Sequence, residues 1–303
     1  ARQGLAALIK PNQNNIIQNP PQEVIDQLVS LYNQGQAKTV IKQAEVLTKQ
    51  YPGALLVWNI LGASRAQIGM LNEAIEAYKE CILLKPDFAD AYNNIGVAFR
   101  NQGKLDEAIE SYKKAISVKP DYAGAYSNMG VALKDQEKFD EAIEAYKKAI
   151  LLKPDYAEAY DNMGVALKNK GKLDEAIEAY KKAISLKPSH VKAYYNMGNA
   201  LKDQGKLEEA IKCFNKALVI KPNYTEAYNN MGLALLSQDK MEEAIEAYNK
   251  SISLKPDYAD AHKNLGFILL RSGRFKEGLD ELEWRRKTPQ FLLLRRHRRY
   301  SQP

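Results

Sequence analysis

Cysteine, histidine and long apolar runs are scarce in this chain of 303 residues. Cys81 and Cys213 are too few for a disulfide framework or a cysteine-based zinc cluster. The three histidines are scattered, which argues against a histidine metal site or catalytic dyad: His190, His262 and His297. No apolar run approaches the roughly 18 residues of a membrane span, and residues 1–20 have no apolar core before a small-residue cleavage site. We therefore expect a cytoplasmic protein with no secretory signal, membrane span, metal or cofactor.

Charge of one sign is also missing from most of the chain. The chain carries 44 Lys and Arg against 37 Asp and Glu, a net charge of +7. Residues 1–284 hold 37 of each sign, so the whole surplus lies in residues 285–303. That tail has no acidic residue and seven basic ones: Arg285, Arg286, Lys287, Arg295, Arg296, Arg298 and Arg299. The body therefore has no overall electrostatic reason to bind nucleic acid or an acidic membrane.

Proline, in contrast, recurs at a fixed interval of 34 residues. The series consists of Pro52, Pro86, Pro120, Pro154, Pro188, Pro222 and Pro256. A fixed period of this size indicates stacked units of secondary structure and not independent domains. We number the positions of each unit as slots 1 to 34, with Ala89 at slot 1, so that the prolines occupy slot 32.

Each unit predicts a pair of helices. Glycine at slot 15, as in Gly103, suits the left-handed backbone that ends a first helix, and the proline at slot 32 ends the second. Asp at slot 33, as in Asp87 and Asp121, is positioned to cap the next first helix. Apolar residues recur at slots 4, 7 and 11 and at slots 17, 20, 21, 24, 27 and 28, which gives both helices an apolar stripe. Glycine at slot 8 predicts a close approach of the two helices, and neighbouring units must stack to bury both stripes.

These residues resemble the tetratricopeptide repeat. The pattern is an aromatic residue at slot 4, Gly at 8, Ala at 20, an aromatic at 24 and Pro at 32. Its first good copy contains Trp58, Gly62, Ala74, Tyr78 and Pro86. The resemblance implies an all-α fold, a right-handed superhelical solenoid of antiparallel helix pairs.

The resemblance also divides the chain. Residues 1–20 are expected to be a leader or linker, and residues 21–54 a divergent first repeat. Residues 55–258 hold six full repeats, residues 259–288 a degenerate C-terminal capping repeat, and residues 289–303 a basic tail. Solenoid ends diverge in this way because their outer faces meet solvent and not another repeat.

In this family the first helices line a concave face, and that face is where we expect a ligand. Slot 6 carries a column of amides: Asn94, Asn128, Asn162, Asn196, Asn230 and Asn264. Slot 9 adds Val97, Val131, Val165 and Asn199, and slot 12 adds Arg100, Lys134, Lys168 and Lys202. Because an amide both donates and accepts hydrogen bonds, the column predicts hydrogen bonding to the backbone of an extended peptide. The alternative interpretation is that each Asn only bonds the neighbouring repeat.

The leading functional hypothesis is a non-catalytic scaffold that binds an extended peptide or protein segment in the concave groove. The asparagine column also resembles the ladder of O-linked N-acetylglucosamine transferases, so a second hypothesis is the substrate-recognition arm of a glycosyltransferase whose catalytic domain is absent here. A third is contact of the basic tail with nucleic acid or lipid, which the neutral body disfavours. Self-association through the solenoid ends is a further expectation.

Overall fold

The computed structural model describes residues 19–287, which form sixteen α-helices and no strand. The expected leader, apart from residues 19 and 20, and the basic tail at 289–303 lie outside the described residues. The chain divides into two compact units, Ala1–Leu152 and Lys153–Pro303. Unit 1 contains α1 (Gln22–Asn33), α2 (Ala37–Gln50), α3 (Leu55–Gln67), α4 (Leu71–Leu84), α5 (Ala89–Asn101), α6 (Leu105–Val118), α7 (Ala123–Asp135) and α8 (Phe139–Leu152). Unit 2 contains α9 (Ala157–Asn169), α10 (Leu173–Leu186), α11 (Val191–Asp203), α12 (Leu207–Ile220), α13 (Thr225–Leu236), α14 (Met241–Leu254), α15 (Ala259–Arg271) and α16 (Phe275–Lys287).

Both units have the same internal layering. Each odd-numbered helix packs against the even-numbered helix that follows it, and each even-numbered helix packs against the odd-numbered helix after it in the same unit. Consecutive odd-numbered helices of a unit also touch one another, whereas the backbones of consecutive described even-numbered helices within a unit stay farther apart. The predicted all-α fold of paired helices is confirmed, with the odd-numbered helices forming the continuous layer of each unit.

The turn inside each helix pair has the predicted left-handed backbone. The slot 15 glycines have φ between 76° and 82°: Gly69, Gly103, Gly171, Gly205 and Gly273. Glu137 and Asp239 replace glycine at slot 15, and they adopt φ values of 61° and 60° in spite of their Cβ atoms. The turn geometry is therefore set by the helix pair and not by the residue at this slot.

The close approach predicted at slot 8 is the tightest feature of the interior. A Cβ atom added to Gly164 would lie 2.5 Å from a ring carbon of Tyr180, at slot 24. The equivalent distance is 2.6 Å for Gly96 and Tyr112. Real Cβ atoms do not approach this closely, so each glycine lies directly against a buried aromatic ring.

The prediction that Asp at slot 33 caps the next helix is wrong. Helix α5 begins at Ala89 with Phe88 at the cap position and no side-chain cap hydrogen bond. The Phe88 N–H donates to the Lys85 carbonyl at 3.0 Å, so Asp87 lies inside a tight turn before the helix. The turn occupies the residues between the proline and the helix, and the aspartate is thereby one position too early to cap it.

Candidate functional site

The residues predicted to bind a ligand all lie on odd-numbered helices. We call this surface the ladder face of each unit. It holds the fourteen residues of slots 6, 9 and 12 named above. All fourteen are half-buried, neither in the core nor fully exposed. The structure therefore places the predicted site on the layer of helices that is continuous within each unit.

In unit 1 the ladder amides bond the preceding helix of the layer. Asn128 Nδ2 donates to Asn93 Oδ1 at 2.9 Å. Asn93 Nδ2 donates to Asn94 Oδ1 at 3.4 Å, and Asn94 Nδ2 reaches Asn59 Oδ1 at 3.5 Å, the limit for such a bond. Four amides thus form one hydrogen-bonded chain across α7, α5 and α3.

Unit 2 has the same donor column with different acceptors. Asn196 Nδ2 donates to Asp161 Oδ1 at 2.9 Å. Asn230 Nδ2 donates to Tyr195 Oη at 3.0 Å and to Asn199 Oδ1 at 2.8 Å. Asn264 Nδ2 donates to Asn229 Oδ1 at 2.9 Å, and Asn229 Nδ2 donates to Asn230 Oδ1 at 3.1 Å. The amide nitrogens of Asn196, Asn230 and Asn264 are therefore engaged with the neighbouring helix pair, as the alternative interpretation of the column expects.

The sequence analysis missed the partner of each amide. The acceptors sit at slot 5, one residue before the amide and one repeat earlier, so donor and acceptor are 35 residues apart. Slot 5 carries an acceptor in most repeats: Asn59, Asn93, Ser127, Asp161, Tyr195 and Asn229. Reading slots 5 and 6 together would have predicted these bonds, whereas reading slot 6 alone did not.

One side of the ladder amides stays open. Each carbonyl oxygen has two lone pairs, and the bond to the neighbour uses the nitrogen. Within residues 19–287 no hydrogen bond reaches Oδ1 of Asn128, Asn196 or Asn264. Since the Nδ2 bond fixes the plane of the amide, these oxygens are oriented acceptors on a half-buried surface.

Asp161 is a buried carboxyl group of unit 2 that accepts a ladder bond. It is 5% exposed, and burial raises its pKa above the ordinary value, while the bond from Asn196 acts in the opposite direction. His190 and Lys192 also favour the charged form, and Glu158 opposes it. A buried carboxylate with an amide donor is costly unless it stays hydrogen-bonded. The bond from Asn196 therefore stabilises the fold of unit 2.

The predicted basic column is partly neutralised by its own neighbours. Lys134 pairs with Asp135, and Lys168 and Lys202 lie 3.1 and 3.5 Å from the carboxylate of Asp203. Their side chains are 22%, 31% and 26% exposed. These lysines are accessible to an acidic ligand, which would have to compete with the local aspartates.

The two cysteines and His262 are engaged in packing. Burial raises the pKa of the Cys81 thiol to about 12 and that of Cys213 to about 11. His262 stacks on Trp284 with ring centres 3.9 Å apart, and its Nε2 lies 3.0 Å from the Pro256 carbonyl oxygen. No group of three His, Cys, Asp or Glu side chains among the described residues has the arrangement of a metal site. No helix between residues 19 and 287 is long and apolar enough to cross a membrane.

Comparison with known families agrees with this repeat geometry. The family described as TPR repeat matches residues 62–103, 98–137, 132–171, 166–205, 198–239 and 232–273. The chain belongs to the tetratricopeptide repeat family. No curated protein sequence matches it. The division into a divergent first repeat, six full repeats and a cap remains a prediction.

Solved tetratricopeptide repeat structures share the fold. A structure of the APC/C hetero-tetramer Cut9–Hcn1 aligns with 80% of this chain at 20% identity and a TM-score of 0.66, but this chain covers only 48% of that one. YrrB, described as a TPR protein with an unusual peptide-binding site, aligns with 66% of this chain and 100% of its own, at 23% identity and a TM-score of 0.52. PilF of Pseudomonas aeruginosa aligns with 67% of this chain and 93% of its own, at 19% identity and a TM-score of 0.60. At these identities the likeness concerns the fold alone.

Proposed function

We propose that this tetratricopeptide repeat protein is an interaction scaffold whose ladder faces hold the backbone of an extended peptide or protein segment. The observation that carries the proposal is the set of oriented carbonyl oxygens on Asn128, Asn196 and Asn264, to which no group between residues 19 and 287 donates a hydrogen bond. A peptide in extended conformation presents backbone N–H groups that such oxygens accept. The family's role as a protein-interaction module supports the same assignment.

The hydrogen bonds to neighbouring repeats are compatible with this function. An amide whose nitrogen is already bonded loses little conformational entropy when its oxygen binds a ligand, because its side chain is already ordered. The slot 5 acceptors act in this proposal as positioning residues for the ladder. Valines at slot 9, half-buried beside the amides, supply apolar contact to whatever side chains the ligand carries.

The matched test separates the ladder amides from their acceptors. One variant replaces Asn128, Asn162, Asn196 and Asn230 with alanine, which removes the inter-repeat bonds of Asn128, Asn196 and Asn230 and the open oxygens of Asn128 and Asn196. A control variant, Asn93→Ala with Asn229→Ala, removes inter-repeat bonds but keeps Asn128 and Asn264. The probes are peptides selected on the intact chain from a random-sequence display library and then synthesised.

We expect the four-alanine variant to bind every selected peptide at least about tenfold more weakly, because each net hydrogen bond contributes about 0.5–1.5 kcal/mol. The loss should be similar for peptides of different sequence, since the amides contact the backbone. The control variant, Asn93→Ala with Asn229→Ala, should lose less peptide affinity than the four-alanine variant. Equal affinities for the two variants, with helicity intact by circular dichroism, would contradict peptide binding by the ladder amides. A library that yields no binder would contradict it as well.

The lysines of the ladder faces are proposed to select acidic ligands weakly. Replacing Lys134, Lys168 and Lys202 with alanine should weaken only the acidic peptides of the same set, and less so at high salt. The expected loss is small, because partly exposed ion pairs contribute about 0–1 kcal/mol each. An equal effect on neutral and acidic peptides would contradict a charge-based role.

We further propose that the chain has no catalytic activity of its own. Both thiols are buried with raised pKa values, and His262 is engaged through stacking and hydrogen bonds. Titration calorimetry with zinc, or with a nucleotide and magnesium, should therefore give no binding heat. A stoichiometric isotherm with either would overturn this part of the proposal.

A further inference from the structure

The ladder face of unit 2 changes its chemistry at α11. At slot 9 this helix carries Asn199, where α5, α7 and α9 carry valine. At slot 5 it carries Tyr195, which is half-buried, whereas Asn93, Asp161 and Asn229 at the same slot are buried. Because tyrosine is longer than these side chains, it brings a phenol group to the surface between α11 and α13.

The next amide of the ladder, Asn230 on α13, has both of its polar atoms engaged. Its Nδ2 donates to Tyr195 Oη at 3.0 Å and to Asn199 Oδ1 at 2.8 Å. Its Oδ1 accepts from Asn229 Nδ2 at 3.1 Å. In contrast, no group between residues 19 and 287 donates to the oxygen of the ladder amide on α11 or on α15. A ligand N–H therefore meets an open acceptor on either side but an occupied one at Asn230.

The Tyr195 hydroxyl, by comparison, is available as a hydrogen-bond donor. Burial raises the pKa of Tyr195 above its ordinary value, and hydrogen bonding by the amides of Asn199 and Asn230 acts in the opposite direction. The phenol therefore stays protonated at neutral pH while these amides engage its oxygen. Among the hydrogen bonds of residues 19–287, none has this O–H as its donor. A ligand carbonyl oxygen is the acceptor that such a group binds.

Aromatic rings surround this donor. The ring centres of Tyr195 and Tyr224 lie 4.9 Å apart with their planes tilted by 41°, and the ring centre of Phe214 lies 6.1 Å from that of Tyr195. Phe214 is buried, whereas both tyrosines are half-buried. Aromatic surfaces of this kind bind proline-rich segments, whose extended backbone makes no internal hydrogen bonds and so presents its carbonyl groups.

Proline also has no N–H that would require an acceptor at Asn230. Any other residue brings an N–H to this position, and an N–H that a bound ligand cannot satisfy weakens binding. We propose that unit 2 selects a proline of the bound segment, with the Tyr195 hydroxyl donating to a ligand carbonyl and the rings of Tyr195 and Tyr224 packing against the proline ring. This inference rests on the proposed peptide binding and adds a sequence preference to it.

The spacing of the repeats fits such a segment. Packed helices lie about 8–10 Å apart, and a polyproline II chain advances about 9 Å in each turn of three residues. A proline at the α13 position therefore places the residues about three before and three after it beside α11 and α15. Those residues meet the open oxygens of Asn196 and Asn264, so they should not be prolines themselves.

The probe is a display library of random peptides, selected on the intact chain. One selected peptide is then synthesised with proline, N-methylalanine or alanine at the enriched position. N-methylalanine lacks the N–H as proline does, but it has no ring. The affinities of the three peptides are measured on the intact chain and on each variant, and circular dichroism checks that every variant folds.

Three variants separate the parts of the proposed subsite. Tyr195→Phe removes the hydroxyl, keeps the ring and leaves Asn230 its bond to Asn199. Asn229→Ala removes the donor that occupies the Asn230 oxygen. Tyr156→Phe is the matched control, because Tyr156 is also a half-buried tyrosine of unit 2 and has a lysine ammonium group 5.0 Å from its ring centre.

On the intact chain we expect proline to bind best, N-methylalanine next, and alanine at least about fivefold more weakly than proline. Tyr195→Phe should weaken all three peptides by about fivefold, since each presents the same carbonyl. Asn229→Ala should reduce the ratio of proline to alanine affinity, because the alanine N–H gains an acceptor. A general loss of ladder order would leave this ratio unchanged. Tyr156→Phe should match the intact chain.

Three results would overturn the proline subsite while the peptide-binding proposal stands. They are a selection without proline enrichment, equal binding of the proline and alanine peptides, and equal effects of Tyr195→Phe and Tyr156→Phe. A library that yields no binder would overturn both proposals. The four-alanine variant of the ladder tests peptide binding without reference to proline, so the two failures are distinguishable.

Discussion

The contact inside a helix pair and the contact between consecutive pairs follow different rules in this protein. Inside a pair, a glycine at slot 8 lies against a ring at slot 24, as in Gly62 with Tyr78 and Gly198 with Phe214. Between pairs, the donor is constant but the acceptor changes from Asn93 to Asp161. Side-chain volume limits which residues fit inside a pair, whereas hydrogen bonding limits which residues fit between pairs.

This difference locates the part of the protein that is free to vary. Where slot 24 is aromatic, a Cβ atom at slot 8 would lie 2.5–2.7 Å from the ring, so a residue larger than glycine would displace that ring. A hydrogen bond from an amide requires only an acceptor, which Asn, Asp and Tyr all supply. The ladder faces are thus where chain-specific recognition can be encoded without disturbing the pair.

The largest effect is expected inside the pair. Gly164→Leu forces a side chain into Tyr180 and should lower the free energy of unfolding by about 3 kcal/mol or more. Lys168→Ala, on the same helix but on the ladder face, should change it by less than about 0.5 kcal/mol. Thermal and denaturant unfolding of the two variants measure the difference. Equal melting curves would mean that slot 8 is not a steric contact.

The next effect sharpens the comparison between the two ladder faces. Asn196→Ala leaves the buried carboxylate of Asp161 without its amide donor and should cost about 2–3 kcal/mol, because the lost partner served a charged group. Asn128→Ala leaves only the neutral Asn93 oxygen and should cost about 1 kcal/mol. Denaturant unfolding at neutral pH compares them. A larger loss for Asn128→Ala would show that acceptor charge does not matter.

A smaller gain is expected in the turn of the fourth pair. Glu137 has φ of 61°, a left-handed conformation that costs an L-residue about 1–2 kcal/mol. Glu137→Gly should therefore stabilise the protein by about 1 kcal/mol, less the entropy that glycine adds to the unfolded chain. Glu137→Ala serves as the control and should give no such gain. Destabilisation by the glycine variant would show that the Glu137 side chain contributes unrecognised contacts.

The smallest effect is a pH dependence centred on Asp161. Burial raises its pKa above that of the unfolded chain, so the ionised carboxylate destabilises the fold at neutral pH, and this cost disappears as the pH falls through the raised pKa. Asp161→Asn keeps an acceptor for Asn196 and should be modestly more stable than the natural chain at neutral pH. Unfolding measured from neutral to acid pH should show the difference in unfolding free energy between the two proteins becoming smaller. If this difference became larger on acidification, the pKa of Asp161 would be lowered and not raised by the fold.

Much of the fold follows from local residue chemistry. The 34-residue period predicts the helix pairs, and the glycine at slot 15 and the proline at slot 32 mark the helix ends in most of them, because each acts on its own backbone. The cap predicted for Asp87 failed because the tight turn after Pro86 shifts the helix start by one residue. The acceptor role of Asp161 was missed because its partner, Asn196, is 35 residues away on another helix.

The sequence by itself determined the helix pairs and the glycine contacts, because periodicity and side-chain volume operate within one repeat. Only the tertiary structure decided where the asparagine donors go. Two helices of the same layer must pack before Asn128 can reach Asn93 or Asn196 can reach Asp161. The same packing leaves a cleft of about 550 Å³ between α6 and α8 above α7, which no single repeat contains.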